Sequence, residues 1–156
     1  MISLHTAESI GQELATRVST RLTTNGAETN LGAAVYRGRR VVDDDMVPCT
    51  AVIEGSDVIE ENDSTRSTET RIRQQYVLLG YVPCDPDHPN DAAHKAIRDL
   101  KKAIFVTDGK ADRTLGGKVR RMRYRGRDIG PRADGAAFVV VSVEVEAEFA
   151  EDLSNP

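Results

Sequence analysis

The feature that most limits the fold of this chain is an alternating run near its end, AAFVVVSVEVEAEFA (136–150). Every second residue from Ala137 to Phe149 is apolar. The intervening positions are apolar at first and acidic later: Phe138, Val140, Ser142, Glu144, Glu146 and Glu148. A period of two places alternate side chains on opposite faces of a β-strand. The run therefore predicts one long strand that is buried on one face and acidic at the far end of the other.

A second strand and two amphipathic helices complete the predicted core. TRIRQQYVLLGYVP (70–83) alternates in the same way, and its apolar face holds Ile72, Tyr76, Leu78 and Val82. Apolar residues recur at helical spacing over 3–23 and 91–106. Further strands are predicted over 33–36, 39–42, 49–55 and 118–127. The order α-β-β-β-α-β-β predicts an α+β fold, with two helices packed on one face of an antiparallel or mixed sheet.

One domain accounts for all 156 residues, because a chain of 17.1 kDa buries enough surface to form one core. The polar segment SDVIEENDSTRSTET (56–70) predicts a mobile loop, or one that becomes ordered on a partner. The first residues lack the basic and apolar regions of a signal peptide, and no window is long and apolar enough to span a bilayer. We therefore expect no membrane association and synthesis in a cytoplasm.

The strongest candidate site is KVRRMRYRGR (118–127), which carries six basic residues and no acidic residue in a chain of formal charge −4. About ten turn-forming residues join it to the acidic strand, so the two strands are predicted to be antiparallel neighbours. The six candidate residues of this site are Arg121, Arg123, Arg125, Glu144, Glu146 and Glu148. The opposite charges allow ion pairs within one chain, or contacts between the Arg face of one copy and the Glu face of the next.

Two further explanations of the basic strand remain open. It could bind nucleic acid through Arg120, Arg121, Arg123, Arg125 and Arg127, because clustered arginines neutralise phosphates. It could also clamp an anionic substrate. The negative net charge argues against a dedicated nucleic-acid-binding domain, although it does not exclude a local basic face.

Other polar clusters do not match a recognisable site. The segment around CDPDHP offers six potential metal ligands: Cys84, Asp85, Asp87, His88, Asp91 and His94. Their spacing fits neither a zinc nor a calcium loop, and the prolines predict a stiff turn. The acidic run 43–45 is typical of a solvated hairpin tip. The segment with Asp112 resembles the start of a calcium loop, but no Glu follows at the position that such a loop requires. We therefore expect no metal, no cofactor, no catalytic residue, and unpaired thiols at Cys49 and Cys84.

Much of the chain resembles the tail terminator proteins of long-tailed bacteriophages. DLKKAIFVTDGKADRTLGGKVRRMRYRG followed by AAFVVVSVEVEAEF resembles the family's helix, LGG loop, strand and final Val-rich strand. The corresponding segments are Ile97–Ile104, Leu115-Gly116-Gly117, Val119–Tyr124 and Phe138–Phe149. RQQYVLLGYVP resembles the family's central strand, and the likeness extends over residues 3–149.

The resemblance implies an assembly role and no enzymatic activity. Members form a hexameric ring that caps the tail tube, stops its polymerisation and presents a face to head-completion or connector proteins. DNA passes through the lumen without sequence-specific binding. The resemblance thus implies a virion protein of the tail and neck, made in the cytoplasm of a bacterial host. A head–tail joining protein, a tail-tube protein and a small nucleic-acid-binding module are the alternatives.

Overall fold

Two long antiparallel strands, Glu69–Pro83 and Phe138–Asp152, form the centre of the sheet. In this computed structural model, which describes residues 6–39, 41–61, 64–132 and 134–156, the two strands pair along their whole length. The helices are α1 (Ala7–Ser19) and α2 (Pro89–Phe105). The strands are β1 (Val35–Arg37), β2 (Cys49–Glu60), β3 (Glu69–Pro83), β4 (Val106–Thr107), β5 (Lys110–Ala111), β6 (Arg121–Ile129) and β7 (Phe138–Asp152). Three short 3₁₀ helices lie at Thr23–Asn25, Leu31–Ala33 and Asp44–Met46.

The main sheet is mixed and has the order β1-β2-β3-β7-β6. Its neighbours are antiparallel except for β1, which runs parallel to β2. The short strands β4 and β5 form a separate hairpin. The predicted α+β class is confirmed: both helices pack on one face of this sheet, and their apolar residues join those of the strands in one core.

The alternation predicted for the two central strands is confirmed. In β7 the residues from Val139 to Phe149 at odd positions are buried, and in β3 the same holds for Ile72, Tyr76, Leu78 and Val82. These side chains face the helices because a pleated strand turns every second residue to the same side.

Each helix buries one stripe of its surface. The Thr6 hydroxyl caps α1 by accepting a hydrogen bond from the backbone N–H of Ser9 at 3.2 Å, and Ile10, Leu14 and Val18 are buried. The observed helix is shorter than the one predicted over 3–23, because α1 ends at Ser19. Residues 1–5 lie outside the described part. The second helix begins at Pro89, and it buries the predicted stripe of Ala93, Ile97, Leu100 and Ile104.

The strand predicted over 39–42 is wrong for the residues that the structure describes there; Arg40 lies outside them. The chain leaves β1 after Arg37 because Gly38 has φ +81°, a left-handed conformation that breaks a strand. Val41 is 77% exposed, so its apolar side chain does not contribute to the core.

The loop predicted over 56–70 is largely a β-hairpin. β2 continues to Glu60 and β3 begins at Glu69, with Val58 opposite Arg73. Hydrogen bonds between backbones do not require apolar side chains, so a polar strand forms when its partner is held by the rest of the sheet. Asn62 and Asp63 of the predicted loop lie outside the described residues.

A buried carboxylate ties α2 to the loop that follows α1. Asp99, which is 1% exposed, accepts hydrogen bonds from the backbone N–H groups of Glu28 at 3.0 Å and Thr29 at 2.7 Å. The guanidinium of Arg21 lies 3.8 Å from the same carboxylate. Asp99 therefore supplies acceptors that the loop's backbone would otherwise lack.

We expect Asp99→Ala to lower the free energy of unfolding by roughly 1–3 kcal/mol for each buried donor left without an acceptor. Urea denaturation monitored by circular dichroism measures this loss. Lys95→Ala, an exposed change on the same helix, is the control and should stay within about 0.5 kcal/mol of wild type. Equal stability of the two variants would contradict the anchoring role of Asp99.

Candidate functional site

The basic segment forms β6, the strand at one end of the sheet order, where it pairs with β7. Arg121 lies opposite Glu148 and Arg123 opposite Glu146. A bulge between Tyr124 and Gly126 then shifts the register by one residue. The predicted neighbourhood of the two charged strands is therefore confirmed.

Two ion pairs cross from β6 to β7. The Arg123 guanidinium lies 3.3 Å from the Glu148 carboxylate, and that of Arg125 lies 2.9 Å from Glu146. The Glu146 side chain is 6% exposed, whereas that of Arg125 is 44% exposed. A carboxylate so far from water needs a partner, and the bulge places Arg125 within reach of it.

The structure thus pairs four of the six candidate residues within the chain. The other two, Arg121 and Glu144, are both exposed and form no ion pair among the described residues. The pairing within one chain that the sequence allowed is confirmed for Arg123 and Arg125.

The helix-free face of the sheet changes character along its strands. Its charged end carries the ion pairs, and its other end carries half-buried apolar side chains: Val77, Leu79, Tyr81, Phe138 and Val140. A groove at the boundary is lined by Gln75, Val77, Arg125 and Glu144 among others. This face therefore changes from charged to apolar along the direction of its strands.

The LGG loop is held beside β6 by Asp112. Leu115, Gly116 and Gly117 all have positive φ, of 52°, 70° and 86°, and Leu115 is buried. Asp112 accepts hydrogen bonds from the hydroxyl of Thr114 at 2.6 Å and the backbone N–H of Gly116 at 2.8 Å. Glycine suits positions 116 and 117 because residues with a side chain rarely adopt positive φ, and Leu115 is an exception in this loop.

The Asp112 carboxylate has a pKa well below its usual range. The hydrogen bond from the Thr114 hydroxyl is the largest cause, followed by that from Thr107 and those from the backbone of Thr114 and Gly116. Each of these donors stabilises the charged form. In the sequence, Asp108-Gly109 with Asp112 resembles the start of a calcium loop but lacks its later Glu; in the structure the Asp112 oxygens hold the LGG loop.

The other predicted clusters do not assemble. Asp85 accepts a hydrogen bond from the backbone N–H of Asp87 at 3.0 Å, which closes the proline-rich turn, and His94 contacts Arg127 at 3.2 Å. Within the described ranges, no group of three His, Cys, Asp or Glu side chains is placed to hold a metal ion. Cys49 is buried and Cys84 partly buried, and both are free thiols.

Sequence reasoning missed a second charged surface, on the opposite edge of the sheet. Residues 57–61, which we call the acidic arm, carry Asp57, Glu60 and Glu61, all exposed. The β-branched pair Val58-Ile59 was a signal of strand structure, but the polar neighbours obscured it.

The chain is similar in fold to a solved chain described as "Virion of native gene transfer agent (GTA) particle". The TM-score is 0.57 at 13% sequence identity, and the match covers 91% of this chain and 95% of that chain. The likeness establishes a shared fold. A scan against protein-family models and a search of curated proteins find no match. No helix in the described part is long and apolar enough to cross a membrane.

We expect Arg125→Ala to destabilise the protein by about 1–2 kcal/mol, because it leaves the Glu146 carboxylate without its partner. Arg121→Ala, on the same strand, is the matched control and should change stability by less than about 0.5 kcal/mol. Urea denaturation at low protein concentration measures both. A loss at Arg121 as large as that at Arg125 would exclude the buried pair as the cause.

We expect Asp112→Asn to reduce stability at pH 7 more than at pH 3. A lowered pKa in the folded state stabilises the fold above about pH 4, the ordinary aspartate pKa, and this contribution declines as the pH falls below it. Thermal unfolding of wild type and variant at both pH values measures the difference. Asp134→Asn, an exposed change, should show no such dependence, and a gap at Asp112 that is constant with pH would refute the assignment.

Proposed function

We propose that the protein is a structural component of a virion and acts as a tail terminator. In this proposal, six copies form a ring that caps the tail tube, ends its polymerisation and offers an attachment face to head-completion or connector proteins. The ring lies in the neck region, and DNA passes through its lumen without sequence-specific binding. The protein contributes surfaces and no catalysis.

The observation that carries the proposal is the fold shared with a chain from a virion particle, over 91% of this chain and 95% of that one. Near-complete coverage in both directions means that the likeness involves the whole architecture and not one common substructure. Fold alone does not specify function, so the proposal also depends on the surfaces that the fold displays.

The arrangement of the segments that resemble tail terminators supports the same proposal. α2 leads through the β4–β5 hairpin and the LGG loop into β6, and β6 pairs with the long strand β7. The backbone N–H of Met122 donates to the carbonyl of Arg113 at 2.5 Å, which holds the loop segment against β6. These resembling segments thus lie next to one another in the fold.

We propose that the six charged residues of β6 and β7 lie at a contact between subunits. Arg121 and Glu144 are exposed without an ion pair in the described part of the chain, and the pairs Arg123–Glu148 and Arg125–Glu146 keep the two strands in register beside them. A ring needs two different surfaces on each subunit, because its interface is heterologous.

Another neck or tail component, such as a head–tail joining or tail-tube protein, is the second candidate function. The same shared fold favours it, because the neighbour's description names a virion and no position within it. A nucleic-acid-binding module is less well supported. Of its five arginines, Arg123 and Arg125 are paired with glutamates in the chain. Phosphate binding requires uncompensated positive charge, which leaves Arg120, Arg121 and Arg127 in the described part to supply it.

Antibody-gold labelling of particles purified from the strain that encodes the chain tests the proposed function. We expect label at the head-proximal end of the tail. Negative-stain images of the purified protein should show rings of six subunits, and light scattering should give six times the 17.1 kDa mass of one chain. Label along the whole tail would favour a tail-tube protein. Particles without label would refute a role in the virion.

A further inference from the structure

The two edges of the main sheet carry opposite charges. At one edge, β1 pairs with β2 over Thr50–Val52 in the described part, so β2 beyond that point is itself the edge and continues into the acidic arm. At the other edge, β6 is the terminal strand. An exposed edge strand presents unpaired backbone groups and is a natural place for another chain to associate.

Part of the charge on each edge has no ion-pair partner in the described part of the chain. Asp57, Glu60 and Glu61 of the acidic arm form no ion pair among residues 6–39, 41–61, 64–132 and 134–156. Arg71 lies opposite Glu60 on β3, yet the two form no ion pair.

The opposite edge has a matching positive segment. Lys118 and Arg120 lie just before β6 and Arg121 is its first residue; these three, which we call the basic edge, likewise form no ion pair in the described ranges. The segment 118–127 contains no acidic residue, and the acidic arm contains no basic one. Complementary fields of this kind select and orient partners.

The two charged segments lie at the same height in the sheet. Val58 of the arm lies opposite Arg73, Arg73 lies opposite Glu148, and Glu148 lies opposite Arg121. A straight row across four strands therefore connects the arm to the basic edge. The basic edge of a second copy placed beside the first can therefore lie against the acidic arm with no shift along the strand direction.

Strand direction also suits a contact between the two edges. Successive strands β2, β3, β7 and β6 are antiparallel, so β2 and β6 run in opposite directions. A copy rotated about an axis parallel to the strands keeps these directions, and its β6 then lies antiparallel to the β2 of its neighbour. The contact continues the alternation of the sheet.

The arm also exposes apolar surface that a neighbour would cover. Val58 is 48% exposed and Ile59 is 52% exposed. They point to opposite sides of an edge strand that has exposed side chains on both faces from Glu54 to Glu60. Apolar side chains on a long exposed edge favour association with another strand.

We propose that the acidic arm of one copy docks against the basic edge of a second copy. This inference rests on the proposed ring-forming function and names the surfaces that join the subunits. The contact is heterologous, because each copy uses its arm on one side and its basic edge on the other, and such a contact forms a ring when the rotation between copies closes. The ion pairs Arg123–Glu148 and Arg125–Glu146 hold β6 in place for it.

A charge-swap experiment tests this contact. The arm-reversed variant carries Asp57→Lys, Glu60→Lys and Glu61→Lys, and the edge-reversed variant carries Lys118→Glu, Arg120→Glu and Arg121→Glu. Light scattering behind size exclusion at ~50 mM salt measures mass, since charge contacts are strongest at low ionic strength. We expect wild type to be oligomeric and each variant alone to fall to the 17.1 kDa of one chain.

An equimolar mixture of the two variants should recover the wild-type mass. In the mixture, each reversed surface meets its complement on the other variant, so restoration excludes misfolding as the cause of the loss. Asp43→Lys, Asp44→Lys and Asp45→Lys together are the control of equal charge change and should leave the mass unchanged. Lys95→Glu, Lys102→Glu and Lys110→Glu together reverse the same number of positive charges at exposed positions and are the control for the edge-reversed variant.

Three outcomes overturn the inference: a wild-type chain that is monomeric at low salt, a reversed variant that stays oligomeric, or a mixture that does not assemble. None of them bears on the gold labelling. If the label lies at the end of the tail and the ring still forms in both reversed variants, the proposed function stands and this interface is refuted. If the protein is absent from particles but the mixture of the two variants still assembles, the proposed function is refuted and the contact stands.

Discussion

The pairing of β3 with β7 is the interaction on which the rest of the structure depends. Fifteen residues of each strand pair without interruption, from Glu69 opposite Asp152 to Pro83 opposite Phe138. Because the side-chain period of a strand is two, this single register decides which residues of both strands face the helices. It also extends the sheet beyond the helix-covered core, and there it supports the outer part of β2 and the first residues of β6, where the acidic arm and the basic edge lie.

Two carboxylates hold the region around β6 in its conformation. Asp112 holds the LGG loop beside β6, and Glu146 receives Arg125 at the bulge. In both cases a charged oxygen is satisfied by groups close in the fold, so these residues stabilise geometry and are not free for a ligand. The acidic arm and the basic edge keep charges without ion-pair partners in the described part, and these are the surfaces that the proposed contact between copies would use.

The sequence predicted most of the fold because its strongest patterns arise from burial. The stripe of α2 and the alternation of β3 and β7 record which side chains face the core. Predictions failed where burial leaves no pattern: the outer part of β2 is exposed on both faces, and its strand structure comes from pairing with β3. Gly80 shows a related limit. A Cβ there would lie 2.8 Å from Leu31 Cδ2, a contact that alternation cannot reveal.

The sequence by itself determined the α+β class, the two amphipathic helices, the long strand β7 and the concentration of arginines in β6, because these follow from periodicity and composition. It also indicated that the Arg and Glu strands are neighbours. Only the tertiary structure decided that a bulge pairs Arg125 with Glu146, and that Val58 and Arg121 lie at one height on opposite edges. Register across four strands is a property of the assembled sheet, because each strand's position along its axis is set by its neighbours and not by its own residues.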